Sequence, residues 1–327
     1  MSGPVLVTID DIRRAAAELD GVAVRTPLVE IADLSQLAHH PVYLKQEQRQ
    51  PTGAFKLRGA WTAVDRLDPA ARARGVITYS SGNHGQAVAF AAHRRGIRAA
   101  IVMPETTPQA KVEGVKRWGG EVVFAGTTSE HRFAKAKEMA EREGLTIIPP
   151  FDHPDIIAGQ GTVGLEIAEQ LPDVAQVAVP VGGGGLAAGI TTALAAVRPS
   201  ARVFAVEPEG AAGYQAAVAA GKPVRLASSS SIADGLMPLS VGTLTFQHLF
   251  QRAEPVTVSD AAIIEATRWL YLVQGMVVEP SGAATTAALR SAKFRVSGPT
   301  VLVVSGGNID PARIPGLGNG VESAPHR

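Results

Sequence analysis

The chain predicts an α/β protein built on open, mostly parallel sheets, and three features of its 327 residues carry that expectation. Short apolar runs such as Ala99–Met103 and Val301–Val304 alternate with helical patterns of roughly 10 to 15 residues, the grammar of a parallel sheet covered on both faces. The junctions from apolar run to helix are rich in Gly, Ser and Pro, as strand-to-helix turns require. Two gaps in the pattern, at Leu67 to Gly75 and at Ile148 to Pro154, delimit a unit inserted into a larger one. The expected organisation is therefore a large discontinuous domain, 1–70 and 151–327, carrying a small inserted domain, 71–150.

The elements follow in order. Thr8 is placed to cap a first helix, with Asp11 three residues on and Ile9, Ile12, Ala15, Ala16 and Leu19 as its apolar stripe. A strand at Val42–Leu44 leads into PTGAFK and a helix from about Phe55 to Leu67. The units then shorten: Val76–Tyr79 with a helix after SSGNHG, Ala99–Met103 with a helix after Pro108, and Glu121–Phe124 with a helix over Ser129–Arg142. Strands resume at Val177–Val181, Val203–Val206 and Val301–Val304, while Lys222–Gln251 reads as extended and irregular.

Composition excludes several functions. Absence of cysteine removes disulfides, thiolate metal sites and cysteine nucleophiles. Thirty-one Lys and Arg against 30 Asp and Glu leave a formal charge of +1, too little field to hold a nucleic-acid backbone. No apolar run approaches the roughly 18 residues of a membrane span, and the opening MSGPVLVTIDDIRR lacks the apolar core of a signal peptide. A soluble, cytoplasmic protein with a small-molecule ligand, and with neither nucleic-acid nor membrane partners, is expected.

Four places can carry chemistry. The run Gly182-Gly183-Gly184-Gly185 follows the strand VAVPV and precedes a helix, so converging N–H groups and a helix N-terminus form a cradle for phosphate. The same residues also suit a merely tight turn. Ser80-Ser81-Gly82-Asn83-His84-Gly85 is a second such junction, able to bind a carboxylate or simply to cap its helix. Lys56 sits just inside a helix start between Phe55 and Leu57, where its charge opposes the helix dipole. Either it snorkels to solvent, or it is an amine of lowered pKa that forms a Schiff base. Ser305-Gly306-Gly307-Asn308 ends an apolar strand at the sheet's carboxyl edge, where ligands of open α/β folds bind.

PTGAFKLRGA, SSGNHGQA, the glycine run, VEPEG, IADGL, EPSGA and SGGNID occur in this order over nearly the whole chain. Together they resemble the serine/threonine dehydratases and serine racemases, pyridoxal-phosphate enzymes of the tryptophan-synthase-β fold (fold type II). The resemblance implies two α/β domains with a cofactor cleft between them, and a homodimer. By position, Lys56 would hold pyridoxal 5′-phosphate covalently, with Phe55 beside its ring. Asn83 would meet its 3-oxygen, Gly182, Gly183, Gly184, Gly185 and Leu186 its phosphate, and Ser305 its pyridine nitrogen, with Glu279 of EPSGA in the same cofactor-binding set. Ser80, Ser81, Gly82 and His84 would line the substrate carboxylate pocket, and Arg132 would reach the substrate side.

The implied activity is β-elimination from L-threonine or L-serine, giving a 2-oxo acid and ammonia. Lys56 is the implied base, and Ser81 a second catalytic group on the opposite face. Ser81 keeps serine racemisation open as the alternative, beside dehydration of 3-hydroxyaspartate or phenylserine. The sequence departs from the family pattern in two places. Ala54 stands where serine is usual, and a cation site that would use Glu207 and the Ala211 carbonyl has Gly213 in place of its acidic third ligand. The resemblance thus implies a divalent or monovalent cation whose third ligand would have to be water. The chain ends soon after SGGNID, which makes a simple catabolic enzyme the nearer resemblance than an isoleucine-regulated one.

Overall fold

A computed structural model describes residues 5–80 and 82–317. The first half contains α1 (Ile9–Glu18), β1 (Leu28–Glu30), α2 (Ala32–Ala38), β2 (Val42–Gln46), α3 (Lys56–Asp65), α4 (Pro69–Arg74), β3 (Val76–Thr78) and α5 (Asn83–Arg95). β4 (Ala99–Met103), α6 (Gln109–Lys116), β5 (Glu121–Phe124), α7 (Ser129–Glu143) and β6 (Thr146–Ile147) follow. The remainder is α8 (Pro154–Gln170), β7 (Gln176–Pro180), α9 (Gly185–Val197), β8 (Arg202–Pro208), α10 (Gly213–Ala220), α11 (Thr243–Leu249), β9 (Ala253–Val258), α12 (Asp260–Leu272), α13 (Pro280–Arg290) and β10 (Thr300–Val304).

The strands form two sheets, in the orders β1-β2-β10-β7-β8-β9 and β5-β4-β3-β6. Every pairing is parallel except β1 with β2. Parallel strands need crossovers that lie on the faces, and this is why the central strands are apolar throughout rather than alternating. In β10, Val301 and Val303 face a core shared with Ile157, Val163 and Ile190, while Leu302 and Val304 face one shared with Leu34, Ile263 and Ala287. The small sheet repeats the scheme: Val76, Ile101 and Met103 pack with Leu57, Trp61 and Phe90, and Ile77, Ala100 and Val102 with Ala136 and Met139.

Local signals placed most boundaries. Thr8 and Asp11 form a reciprocal capping box at α1, with Asp11 N–H on the Thr8 hydroxyl and Thr8 N–H on the Asp11 carboxylate. β6 and β9 are additions to the sequence-based expectation. Both are sheet edges, one only two residues long and the other interrupted by Pro255, so neither shows the continuous apolar run that marks a buried strand. The irregular stretch Lys222–Gln251 contains α11 near its end.

Candidate active site

The carboxyl ends of β3, β7 and β10 deliver the turns at 80–85, 182–185 and 305–308. The last of these is joined to the start of α3 by backbone alone. Phe55 N–H donates to the Ser305 carbonyl at 3.0 Å and Gly307 N–H to that of Gly53 at 2.9 Å, and Ala54 bridges Gly306. Lys56 and Ser305 are thus fixed relative to one another without either side chain being used. Lys56 Nζ donates to the Pro150 carbonyl at 2.6 Å and lies 5.1 Å from the centre of the Phe55 ring. Burial, with no compensating anion among the described residues, lowers its pKa to about 8. Roughly a tenth of this amine is then neutral at pH 7, far more than for a solvated lysine.

Asn83 opens α5 and crosses between the sheets. Its Nδ2 donates to Glu279 Oε1 at 2.6 Å, and its Oδ1 accepts from Asn308 Nδ2 at 2.7 Å. Glu279 is buried, and its pKa rises to about 7, chiefly by desolvation and then by the charge of Asp234. His84 is 2% exposed and sits with Nε2 3.1 Å from the Ile148 carbonyl, which makes Nε2 the protonated nitrogen of a neutral ring. Burial, and secondarily the charge of Lys56, lowers its pKa to about 3. Its Nδ1 has no hydrogen-bond partner among the described residues. Gly82 N–H donates to Ser80 Oγ at 3.4 Å, whereas Ser81 lies outside the described residues.

The glycine run needs glycine for two separate reasons. Gly184 adopts φ +93°, and a Cβ on Gly183 would stand 2.2 Å from the Phe151 ring. α9 starts at Gly185, and Leu186 behind it is 3% exposed in the core of the large sheet. A glycine-only backbone turn at a helix N-terminus, an amine of depressed pKa and the buried Ser305 together fit a phosphorylated aldehyde.

A profile of the pyridoxal-phosphate dependent enzymes matches residues 19–306. The chain belongs to that family. It is 41% identical over 309 residues to a putative threonine dehydratase of Sinorhizobium fredii, covering 93% of each chain. It is 38% identical over 308 residues to a serine racemase of Schizosaccharomyces pombe, covering 94% of this chain and 95% of that one. The structure of maize serine racemase matches with a TM-score of 0.91 at 39% identity, over 94% of this chain and 95% of that one. The enzyme therefore has the type II, tryptophan-synthase-β-like fold, two mostly parallel sheets around a cleft, and is of the lyase and racemase type.

Three positions around this enzyme's site had no signal in the sequence. Pro150 receives the Lys56 amine, Phe151 packs on Gly183 and Gly185, and the Thr245 hydroxyl donates to the Gly183 carbonyl at 2.8 Å. Pro150 and Phe151 lie in the gap at Ile148 to Pro154, which the sequence marks only as a boundary; Thr245 lies in the stretch read as irregular.

The expected cation site gains no support from the structure. Both Glu207 oxygens accept backbone N–H groups at the start of α10, from Tyr214 at 2.7 Å and Gln215 at 2.9 Å, so the carboxylate is engaged as a helix cap. Ala211 is buried in the turn Glu209–Ala211, and Gly213 is the first residue of α10. Among the described residues no group of three His, Asp or Glu side chains could hold a metal ion. Arg132 lies on α7, where its Nε donates to the Thr128 carbonyl at 3.3 Å and burial lowers its pKa. No helix among the described residues is long and apolar enough to cross a membrane.

Proposed function

We propose that the enzyme dehydrates L-threonine and L-serine to the 2-oxo acid and ammonia. The observation that carries this reading is Lys56, a lysine of lowered pKa resting on a carbonyl at the junction of the three turns, with no described carboxylate paired to it. In this reading Lys56 holds the cofactor covalently, Phe55 flanks the ring and Gly182 to Leu186 offer N–H groups to the phosphate. Asn83, oriented from both sides by Glu279 and Asn308, donates to the 3-oxygen. Ser305 meets the pyridine nitrogen, Ser80, Ser81, Gly82 and neutral His84 orient the substrate carboxylate, and Arg132 faces the far end of the substrate. The small domain is taken as 71–150; every strand of the four-stranded sheet falls between Val76 and Ile147, which supports that division.

Pyridoxal phosphate, when bound, supplies an electron sink for the pair left at Cα. Lys56, as a free neutral amine, would take the Cα proton. The Cβ hydroxyl departs with a proton as water, and the released enamine hydrolyses to the oxo acid and ammonia. A neutral hydroxyl at Ser305 would support a proton on the pyridine nitrogen less than an aspartate would, and so would favour prompt loss of the leaving group over storage of charge. Serine racemisation is the second reading, supported by the likeness to serine racemases. A steady-state screen of L-threonine, L-serine, 3-hydroxyaspartate and phenylserine, scored for 2-oxo acid and for enantiomer, separates them. Production of 2-oxobutanoate from L-threonine as the fastest reaction is expected. Inversion of L-serine outpacing every elimination would overturn the proposal.

A further inference from the structure

We infer that Asp152 is a positioning residue of the glycine cradle, setting the enzyme's grip on the phosphate group of its cofactor; the inference rests on the cradle being the phosphate site. The segment Ile148–His153 touches three parts of the site: His84, Lys56 and the glycine run. The Ile148 carbonyl receives His84 Nε2 and the Thr78 hydroxyl, the Pro150 carbonyl receives Lys56, and Phe151 packs on the glycine run. Asp152 makes the remaining connection. Its Oδ2 accepts Thr243 N–H at 3.0 Å, and its Oδ1 accepts Leu244 N–H at 2.9 Å and Thr245 N–H at 3.1 Å. Three backbone donors at the start of α11 are thereby satisfied by one carboxylate.

The held end of α11 in turn grips the glycine run. The Gly183 carbonyl accepts from Gly242 N–H at 3.2 Å and from the Thr245 hydroxyl at 2.8 Å. In a trans peptide the carbonyl and the next N–H point in opposite directions, so fixing Gly183 C=O toward α11 turns Gly184 N–H away from α11. Gly184 at φ +93° has no side chain to resist rotation of that peptide, so its orientation depends on this external hold. Asp152 places α11, α11 orients the Gly183–Gly184 peptide, and that peptide presents its donor to the anion. Asp152 itself stays bonded to α11 and acts only through it.

The test compares binding of pyridoxal 5′-phosphate with binding of pyridoxal, which lacks the phosphate but can still react with Lys56. Equilibrium affinities are read from cofactor absorbance in the full-length apoenzyme and in its Asp152→Ala, Asp152→Asn and Thr245→Val variants. Losing the three bonds of Asp152 weakens the phosphorylated ligand by about tenfold while leaving pyridoxal within about twofold. Asparagine, which retains one acceptor oxygen, loses less, and Thr245→Val shows the same selectivity if the alanine variant does not fold. Parallel weakening of both ligands, or no change in either, overturns the role of Asp152. A wild-type enzyme that does not prefer pyridoxal phosphate over pyridoxal overturns the phosphate site itself, and this inference with it.

Discussion

Two buried lysines stand close together in the chain and do opposite things. Lys45, on β2, is fully buried and answers to Glu166 Oε2 at 2.5 Å, Gln170 Oε1 at 2.9 Å and the Thr26 carbonyl at 2.8 Å. Glu166 also accepts from Arg58, which grips Glu47 through two bonds of 2.8 Å, so two cations and two anions close a neutral cluster beneath α3. Lys56, at the start of the same helix, has a carbonyl dipole and an aromatic ring but no described anion. Burial lowers the pKa of both lysines, but Glu166 and Glu47 oppose that shift at Lys45, whereas no described anion opposes it at Lys56, which leaves Lys56 the amine available for chemistry. The acids repeat the contrast. Glu47, although desolvated, is held below the usual carboxylate range by Arg58, whereas Glu279, bonded by the amide of Asn83, rises to about 7.

The largest expected effect separates the two lysines by function. Lys56→Ala lowers turnover by about 10⁴-fold or more while far-UV circular dichroism and the urea midpoint stay close to wild type. Arg58→Met does the reverse. It leaves Glu47 and part of Glu166 buried without their cation and costs about 3–5 kcal/mol in urea unfolding. A midpoint unchanged by Arg58→Met would show that the cluster contributes no stability.

Glu279 sharpens the same contrast through pH. Its folded pKa of about 7 exceeds the ordinary 4.5, so between these values the folded state binds more protons than the unfolded one. Its contribution is complete below about pH 4.5 and declines as pH rises through 7, by up to about 3 kcal/mol. Urea titrations of the apoenzyme should show this decline, and Glu279→Gln should flatten it. The smallest effect is kinetic: attachment of cofactor to Lys56 should speed up by about tenfold per pH unit below 8 and level off above it, following the neutral amine. A flat profile from pH 6 to 8 would mean that the amine is already neutral through that range.

Much of this was legible in the residues because the relevant signals are local. Lys56 stands out as a charge in the first turn of an uncapped helix, and the turns at 80–85, 182–185 and 305–308 announce themselves where apolar strands stop. The structural cluster was invisible for the complementary reason: Lys45 and Glu166 are 121 positions apart, and nothing in VYLKQ indicates that its lysine is enclosed. Asp152 was hidden in the same way, since its three donors lie over 90 positions away and its own neighbourhood reads as a break between domains. The cation site gained no support, and the surroundings of Glu207 could not be read from VEPEG. Glu207 is buried, and each of its oxygens accepts one backbone N–H at the start of α10.

The central claim, that Lys56 rather than any paired lysine is the reactive amine, is tested most directly by borohydride reduction of the pyridoxal-phosphate-loaded enzyme followed by peptide mass mapping. One pyridoxyl adduct per chain is expected, on Lys56, with Lys45 unmodified. An adduct on Lys45 or on another lysine, with Lys56 recovered intact, would contradict it.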